Sequence, residues 1–188
     1  MTVALLAGLL AGCASPLDRV TYQFDYPAYS DLAQLCQAAS TVVVGTPIST
    51  AVMPVDILSS DQGDSAEENP ALGAEQPPSD SVLIETVTTL RVDEVISGDE
   101  VEPGDTVRIG QPGGVYGGVE YVSEQQYPTR EGETHLLFLE TFPDAPASLL
   151  NPGQAGFAVS GDGTISPESA SSLADQLAGR TVSADLCA

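Results

Sequence analysis

A strict alternation of apolar and polar positions predicts one long β-strand near the middle of the chain. The inward-facing positions of this strand are Val82, Ile84, Thr86, Thr88, Leu90 and Val92. A strand of about fifteen residues would extend ~50 Å, which is wider than a domain of this size, so it must bend or coil. Long coiled strands shared between two halves of a sheet are typical of small closed barrels.

Other apolar runs predict further strands. They cover Thr41 to about Val52, Thr106–Gly110, Val119–Ser123 and Thr134–Phe142. The last run contains Leu136–Leu139, which is apolar on both faces, so we expect this strand at the centre of the core. A hairpin is predicted from Phe157-Ala158-Val159 and Thr164-Ile165, because Gly161-Asp162-Gly163 between them suits a turn with positive φ.

Two short helices are predicted at the ends of the folded region. The first is capped by Ser30 and runs through Ser40, with Leu32, Leu35, Cys36 and Ala39 on one face. The second starts at Ser166-Pro167, has Leu173 and Leu177 on one face, and ends at Gly179. The predicted fold class is therefore mainly β, a small closed or partly open β-barrel with a short N-terminal helix and a short C-terminal helix.

Two segments interrupt this pattern. Residues 13–29 are predicted as a tether and aromatic segment, in which Tyr22, Phe24 and Tyr26 alternate as on one face of an extended strand, followed by Tyr29. These rings either form a docking patch or, as we favour, cover an edge of the barrel. Residues 53–80 are acidic and contain no basic residue, which predicts a disordered insertion within a single domain of residues 30–188.

Composition narrows the function classes. The 188 residues hold 27 Asp and Glu against 5 Arg and no Lys, for a net charge of −22. So few cations cannot neutralise a run of phosphates, which excludes nucleic acid as a partner. An anionic membrane would also repel this surface. A hydrophobic content of 42% is nevertheless in the globular range.

The sequence contains no recognisable catalytic constellation. It has no Gly-x-Ser-x-Gly, His-Glu-x-x-His, phosphate-loop or Gly-x-Gly-x-x-Gly motif. The single histidine, His135, shares a face with Leu137 and Leu139 and is expected to be structural. We therefore expect no enzyme, no cofactor and no catalytic residue, and a carboxylate-dependent hydrolase is kept as the less favoured alternative.

The amino terminus predicts export. The apolar run Val3–Ala11 is too short to span a bilayer, but it suits a signal peptide at residues 1–12. The sequence Leu10-Ala11-Gly12-Cys13 resembles the lipobox of bacterial lipoproteins. This resemblance implies that Cys13 becomes the first mature residue, carries acyl chains such as palmitate, and anchors the protein to the cell membrane on its extracytoplasmic side.

The remaining cysteines predict a disulfide. With Cys13 acylated, Cys36 and Cys187 are left, and two cysteines fit one bond in an oxidising compartment. Zinc is the competing interpretation, but two cysteines and one histidine without close spacing do not make a tetrahedral site. No metal ligands are therefore predicted.

Two stretches resemble known barrel proteins. The sequence Ala38-Ala39-Ser40-Thr41-Val42-Val43-Val44-Gly45 resembles the entry to the first barrel strand of netrin-like domains, including the tissue inhibitors of metalloproteinases. Glu131 to Leu139 resembles the penultimate core strand of uncharacterised secreted bacterial proteins of similar layout. The resemblance implies an OB-like barrel. Protease inhibition is not expected, because those inhibitors need a Cys-x-Cys start with a free amino terminus, whereas Cys13 is predicted to be the lipid site.

Two loops are candidates for binding. Gly113, Gly114, Tyr116 and Gly117 form a candidate binding loop with Tyr116 at its tip, or else a mobile connection. The run Asp61–Glu68 could supply oxygen ligands to calcium, although a solvated charge run is the favoured interpretation.

These observations predict a lipid-anchored surface protein that is a non-catalytic binding module. Its partners would be the membrane, through the lipid at Cys13, and an extracellular protein, peptide or glycan. The alternative is a structural or protective envelope lipoprotein without a ligand site.

Overall fold

The computed structural model describes residues 17–56, 82–166 and 172–187. This part of the chain is mainly β, as predicted. Its strands are β1 (Asp18–Tyr22), β2 (Thr41–Asp56), β3 (Val82–Ser97), β4 (Thr106–Pro112), β5 (Gly114–Tyr116), β6 (Val119–Ser123), β7 (Thr134–Glu140), β8 (Ala147–Leu149), β9 (Gly156–Val159) and β10 (Ile165–Ser166). Its helices are α1 (Leu32–Ala38), α2 (Ser172–Leu177) and a 3₁₀ helix at Ala184–Cys187.

The strands form two sheets. A large sheet has the order β10-β9-β7-β2-β3-β4-β8, and a small sheet has the order β1-β6-β5. In the large sheet, β8 pairs in parallel with β4 and antiparallel with β7. Strands β7, β2, β3, β4 and β8 are therefore joined by pairing into a partial ring.

The long strand predicted from alternation is β3, and it pairs along its length with an equally long β2. The register runs from Val42 opposite Ser97 to Asp56 opposite Val82. Three register shifts interrupt it, which is how a long two-stranded ribbon bends and increases its twist. At one shift stands Gly45, where an added Cβ would meet the Arg91 carbonyl oxygen and Leu90 Cδ2 at 2.6 Å each.

Strand β7 lies at the centre of the core, as predicted. Residues His135–Leu139 are all fully buried, because β2 and β9 flank the strand and β8 pairs with its end. Phe138 meets Phe157 of β9 edge to face, with ring centroids 6.1 Å apart. Aromatic pairs of this geometry add stability beyond the area they bury.

Both predicted helices are present at the expected places in the chain, but their first or last residues differ from the prediction. The N-cap of α1 is Asp31, not Ser30, because the Asp31 carboxylate accepts the Gln34 N–H at 2.9 Å. The helix ends at Ala38 rather than Ser40.

At the other end of the chain, Ser166 belongs to β10, which pairs with β9 in the predicted hairpin. Pro167 lies outside the described residues. Leu173 and Leu177 of α2 are fully buried, and Gly179 follows the helix with φ +74°, as predicted.

Several segment boundaries also differ from the predictions. Strand β2 continues to Asp56, so the first residues of the predicted insertion 53–80 are strand, while 57–81 lie outside the described residues. The predicted tether is folded from Asp18 onward, where β1 begins. Strand β7 ends at Glu140 instead of Phe142, and the three-residue β8 was not predicted.

Candidate functional site

The small sheet brings together two segments that are about a hundred residues apart in the sequence. The aromatic segment contributes β1, and the glycine-rich segment 111–118 contributes β5 and leads into β6. Strand β1 pairs in parallel with β6, and β6 pairs antiparallel with β5. The candidate functional site is built on this sheet.

Four rings form a continuous row, which we call the aromatic row: Tyr121, Tyr22, Phe24 and Tyr26. Their successive centroids are 5.8, 5.9 and 6.0 Å apart. The predicted alternation is confirmed, since Tyr22, Phe24 and Tyr26 are half-buried while Gln23 and Asp25 between them are exposed. The Tyr22 hydroxyl accepts the Ile84 N–H at 3.1 Å, which ties the row to β3.

Apolar surface is exposed beside this row. Among the described residues, the exposed large hydrophobic side chains are Leu17, Val20, Ile48, Val115 and Tyr116, and all but Ile48 lie in or next to the small sheet. By register, Val20 pairs with Tyr121 and Tyr116 pairs with Val119, so Val20 and Tyr116 share a face with the row. Val20 is 41% exposed and Tyr116 is 43% exposed. Grouped exposed apolar side chains of this kind mark interaction sites more often than isolated ones do.

The glycine-rich segment belongs to a β-hairpin, which contradicts its interpretation as a mobile connection. Gln111 and Pro112 belong to β4, and Gly114 and Tyr116 belong to β5. Gly117 and Gly118 have φ of +59° and +83°, which suits the two-residue turn between β5 and β6.

Glycine also brings this hairpin close to the large sheet. A Cβ on Gly114 would meet both Val52 Cγ atoms at 2.8 Å. Gly113 has φ +119°, a conformation that favours glycine. Tyr116 therefore lies on a supported strand, and the binding role of this segment stays a prediction.

A cleft opens at the end of the aromatic row. Its volume is about 450 Å³, and its lining residues are Gln23, Phe24, Asp25, Tyr26, Ser123, Glu124 and Gln125. It lies where the chains leave the carboxyl ends of the parallel strands β1 and β6. One wall is held in place because Ser123 Oγ donates to the Gln125 carbonyl at 3.1 Å and Gln126 Nε2 donates to the Pro112 carbonyl at 2.7 Å.

A second cleft of about 730 Å³ lies between β4 and the segment joining β7 to β8. Its lining includes Arg108, Glu100, Asp144 and Phe142. Arg108 is exposed there and donates only to the Met53 sulfur at 3.7 Å among the described residues. None of the described residues that line this cleft is an exposed large apolar one, so it is the weaker candidate for a docking surface.

Glu85 on β3 is a half-buried carboxyl group whose charge acts on Tyr26 of the aromatic row. Burial raises the pKa of Glu85. The pKa of Tyr26 is also raised, mainly by burial and to a smaller extent by the negative charge of Glu85. Glu85 lies beneath Gly110, where a Cβ would collide with its carboxylate. The absence of a side chain at Gly110 therefore makes room for this carboxyl group.

Stability should depend on pH through Glu85. Its pKa is higher in the folded state than its ordinary 4.5, so stability is greatest below that value and falls as pH rises through the raised pKa. Glu85→Gln should therefore raise the melting temperature at neutral pH and leave it unchanged at acidic pH. Thermal unfolding across pH measures this, with the exposed Glu94→Gln of the same strand as the matched control. A Glu85→Gln protein that melts lower at neutral pH would overturn the assignment.

His135 lies in the core. It is fully buried, and its Nδ1 lies 2.8 Å from the Tyr127 hydroxyl, with the two rings edge to face. Tyr127 is held in turn, since its N–H donates to Gln111 Oε1 at 2.7 Å. This buried arrangement favours the structural interpretation of His135.

The remaining predicted site residues fall in two groups. Cys36 and Cys187 form the predicted disulfide, with Cα atoms 5.5 Å apart, and it joins α1 to the C-terminal 3₁₀ helix. Cys13 and the acidic run Asp61–Glu68 lie outside the described residues. Within residues 17–56, 82–166 and 172–187, no cluster of three or more His, Cys, Asp or Glu side chains could hold a metal ion.

No helix in the described ranges is long and apolar enough to cross a membrane. No protein-family model, curated protein or solved structure matches this chain. The functional argument therefore depends on the residues of the small sheet.

Sequence reasoning missed part of this site. Val20 continues the same alternation as the aromatic row two residues earlier, so that pattern could have indicated it. Tyr121, Glu124 and Gln125 come from a segment about a hundred residues away along the chain, and no local signal links the two segments.

Proposed function

We propose that this chain is a lipid-anchored extracytoplasmic protein whose domain is a non-catalytic interaction module. The observation that carries the proposal is the grouping of exposed apolar side chains with the aromatic row on one small sheet. The lipobox-like Leu10-Ala11-Gly12-Cys13 supports the anchor, and the disulfide suits an oxidising compartment.

We also propose that the partial ring of the large sheet is an OB-like barrel. Five strands take part, their order is β2-β3-β4-β8-β7 and back to β2, and only the β4–β8 pair is parallel. A five-stranded, partly open Greek-key barrel is the arrangement that defines an OB-fold. The small sheet is then an addition that packs over the outer end of the β2–β3 ribbon.

Tyr22 of the aromatic row contacts the outer end of the β2–β3 ribbon, which supports the favoured interpretation of the aromatic segment. Tyr22 contacts the Ile84 amide, and Gly114 lies against Val52. Val20 and Tyr116 extend beyond this contact on the same face. The same strands can therefore stabilise the barrel and present a docking surface.

Binding to intact cells tests the interaction role. A labelled Cys13→Ala chain, which lacks the lipid site, should bind saturably to cells that normally carry the protein. Changing both Val20→Ser and Tyr116→Ser should weaken this binding by roughly tenfold or more, as expected when exposed anchors at an interface are truncated. Ile48→Ser is the matched control, because Ile48 is 50% exposed but lies on β2.

Two results would contradict the proposal. The first is an absence of saturable binding, which favours the structural envelope lipoprotein. The second is an equal loss of binding in the Ile48→Ser control, which would show that any exposed apolar residue contributes.

A further inference from the structure

We propose that the edge of β1 receives an extended cationic peptide, and that an Arg or Lys side chain of this peptide occupies the cleft between residues 23–26 and 123–125. The inference deepens the proposed function, on which it rests, by naming the chemistry of the partner. It is carried by an unpaired strand edge, by the composition of the cleft and by the charge of the chain.

The edge of β1 offers main-chain hydrogen bonds. Strand β1 is the outer strand of the sheet β1-β6-β5 and pairs only with β6 within the described part of the chain. Residues Asp18–Thr21 are exposed along it. An open edge of this kind accepts an added peptide strand, whose backbone supplies affinity while its side chains supply specificity.

The cleft selects a positive charge. Asp25 and Glu124 contribute carboxylates, and no Arg, Lys or His is among the described residues that line the cleft. Both carboxylates are exposed, and neither takes part in an ion pair among the described residues. An Arg guanidinium carries five N–H donors in a planar fork that suits carboxylates.

The aromatic wall favours the same occupant. Phe24 and Tyr26 line the cleft and lie 6.0 Å apart, so each can present part of a ring face to a cation. The side-chain carbonyl oxygens of Gln23 and Gln125 can accept hydrogen bonds from further N–H groups of the ligand. The hydrogen bond from Ser123 Oγ to the Gln125 carbonyl already holds this wall of the cleft in place. This reduces the entropy that is lost when a ligand binds.

Position and charge identify the ligand as a peptide. The cleft lies just beyond the end of β1, so a strand added along Asp18–Tyr22 would deliver a side chain into it. Val20, which is 41% exposed on β1, supplies an apolar contact beside that path. The net charge of −22 attracts a cationic partner and repels a second copy of this chain.

Peptide titration against the purified protein tests the inference. The probe is a short acetylated peptide of alternating Val and Thr with one central Arg, and its control replaces that Arg by citrulline, which keeps the shape without the charge. The Arg peptide should bind about tenfold more tightly than the citrulline peptide, as expected for two exposed charge pairs. This preference should decrease as salt is added.

Matched variants locate the site. Asp25→Asn with Glu124→Gln should remove the preference for Arg, while Asp99→Asn with Glu131→Gln should retain it. Both pairs change the net charge equally and alter exposed carboxylates, so only the position differs. Unchanged melting temperatures check that each variant is folded.

Backbone methylation tests the strand edge separately. N-methyl groups on one alternate set of peptide residues should abolish binding, while the other set should leave it intact, because only one set faces β1. Equal binding of the Arg and citrulline peptides would overturn the inference, as would binding of a neutral oligosaccharide in the same cleft. If the peptides fail while Val20→Ser with Tyr116→Ser still weakens binding to cells, the interaction module stands and only its cationic partner is rejected.

Discussion

Loss of the Cys36–Cys187 disulfide is expected to lower the free energy of unfolding by roughly 5 kcal/mol, as the chain-entropy relation gives for a loop of this size. The two cysteines are 151 residues apart in sequence. In the unfolded state, the bond therefore restricts nearly the whole length of the chain that folds into the domain. For a protein of this length, the melting temperature should fall by about 10–20 °C. The bond also holds α1 against the C-terminal 3₁₀ helix, where Leu186 is buried.

Calorimetry with and without reductant measures this effect. The double variant Cys36→Ser with Cys187→Ser should melt at the temperature of the reduced protein and should not respond to reductant. If the oxidised and reduced proteins melt at the same temperature, the disulfide contributes no stability and the prediction fails.

Replacing Cys13 should release the protein from the membrane entirely. Each buried methylene of an acyl chain contributes ~0.8 kcal/mol, so several chains anchor stably where one would not. The net charge of −22 opposes any attraction to anionic lipid, so the proposed lipid must supply the attachment. Cys13→Ala should therefore move the protein from the membrane fraction to the soluble fraction and abolish labelling by palmitate.

The two other cysteines provide the matched control. The double variant Cys36→Ser with Cys187→Ser keeps Cys13, so it should remain in the membrane fraction and retain the palmitate label. A Cys13→Ala protein that stays membrane-bound and labelled would show that the anchor lies elsewhere.

The sequence predicted best those elements whose signal is local. The period-two pattern in β3 indicates a strand that is buried on one face, and the continuous apolar run in β7 indicates a strand that is buried on both. Both signals lie in consecutive residues. The β9–β10 hairpin was equally accessible, since Gly161-Asp162-Gly163 gives the turn. Register and bulges, which curve the β2–β3 ribbon, have no comparable signal.

The site was predicted only in pieces, because its parts meet through pairing between distant segments. The alternation of Tyr22, Phe24 and Tyr26 indicated one face of an extended segment, but nothing in it indicated parallel pairing with β6. Consecutive glycines in a sequence indicate a mobile connection. At Gly117 and Gly118 they instead permit the positive φ of a tight hairpin turn.

The remaining differences between the prediction and the structure concern features for which the local sequence signal is weak or ambiguous. Ser30 and Asp31 are both good N-cap residues and adjacent in sequence, so composition alone cannot decide between them. Strand β8 is only three residues long, and its pairing with β4 and β7 defines it more than its sequence does. Tertiary contacts decide such cases.

Photo-crosslinking on intact cells tests the proposal that the small sheet is the surface through which this protein contacts its partner. A photoreactive phenylalanine analogue placed at Tyr116 should give a discrete adduct of higher mass. The same group at Ile48, which is also exposed but lies on β2, should give none. Adducts of equal yield at both positions, or adducts at Ile48 alone, would contradict this proposal.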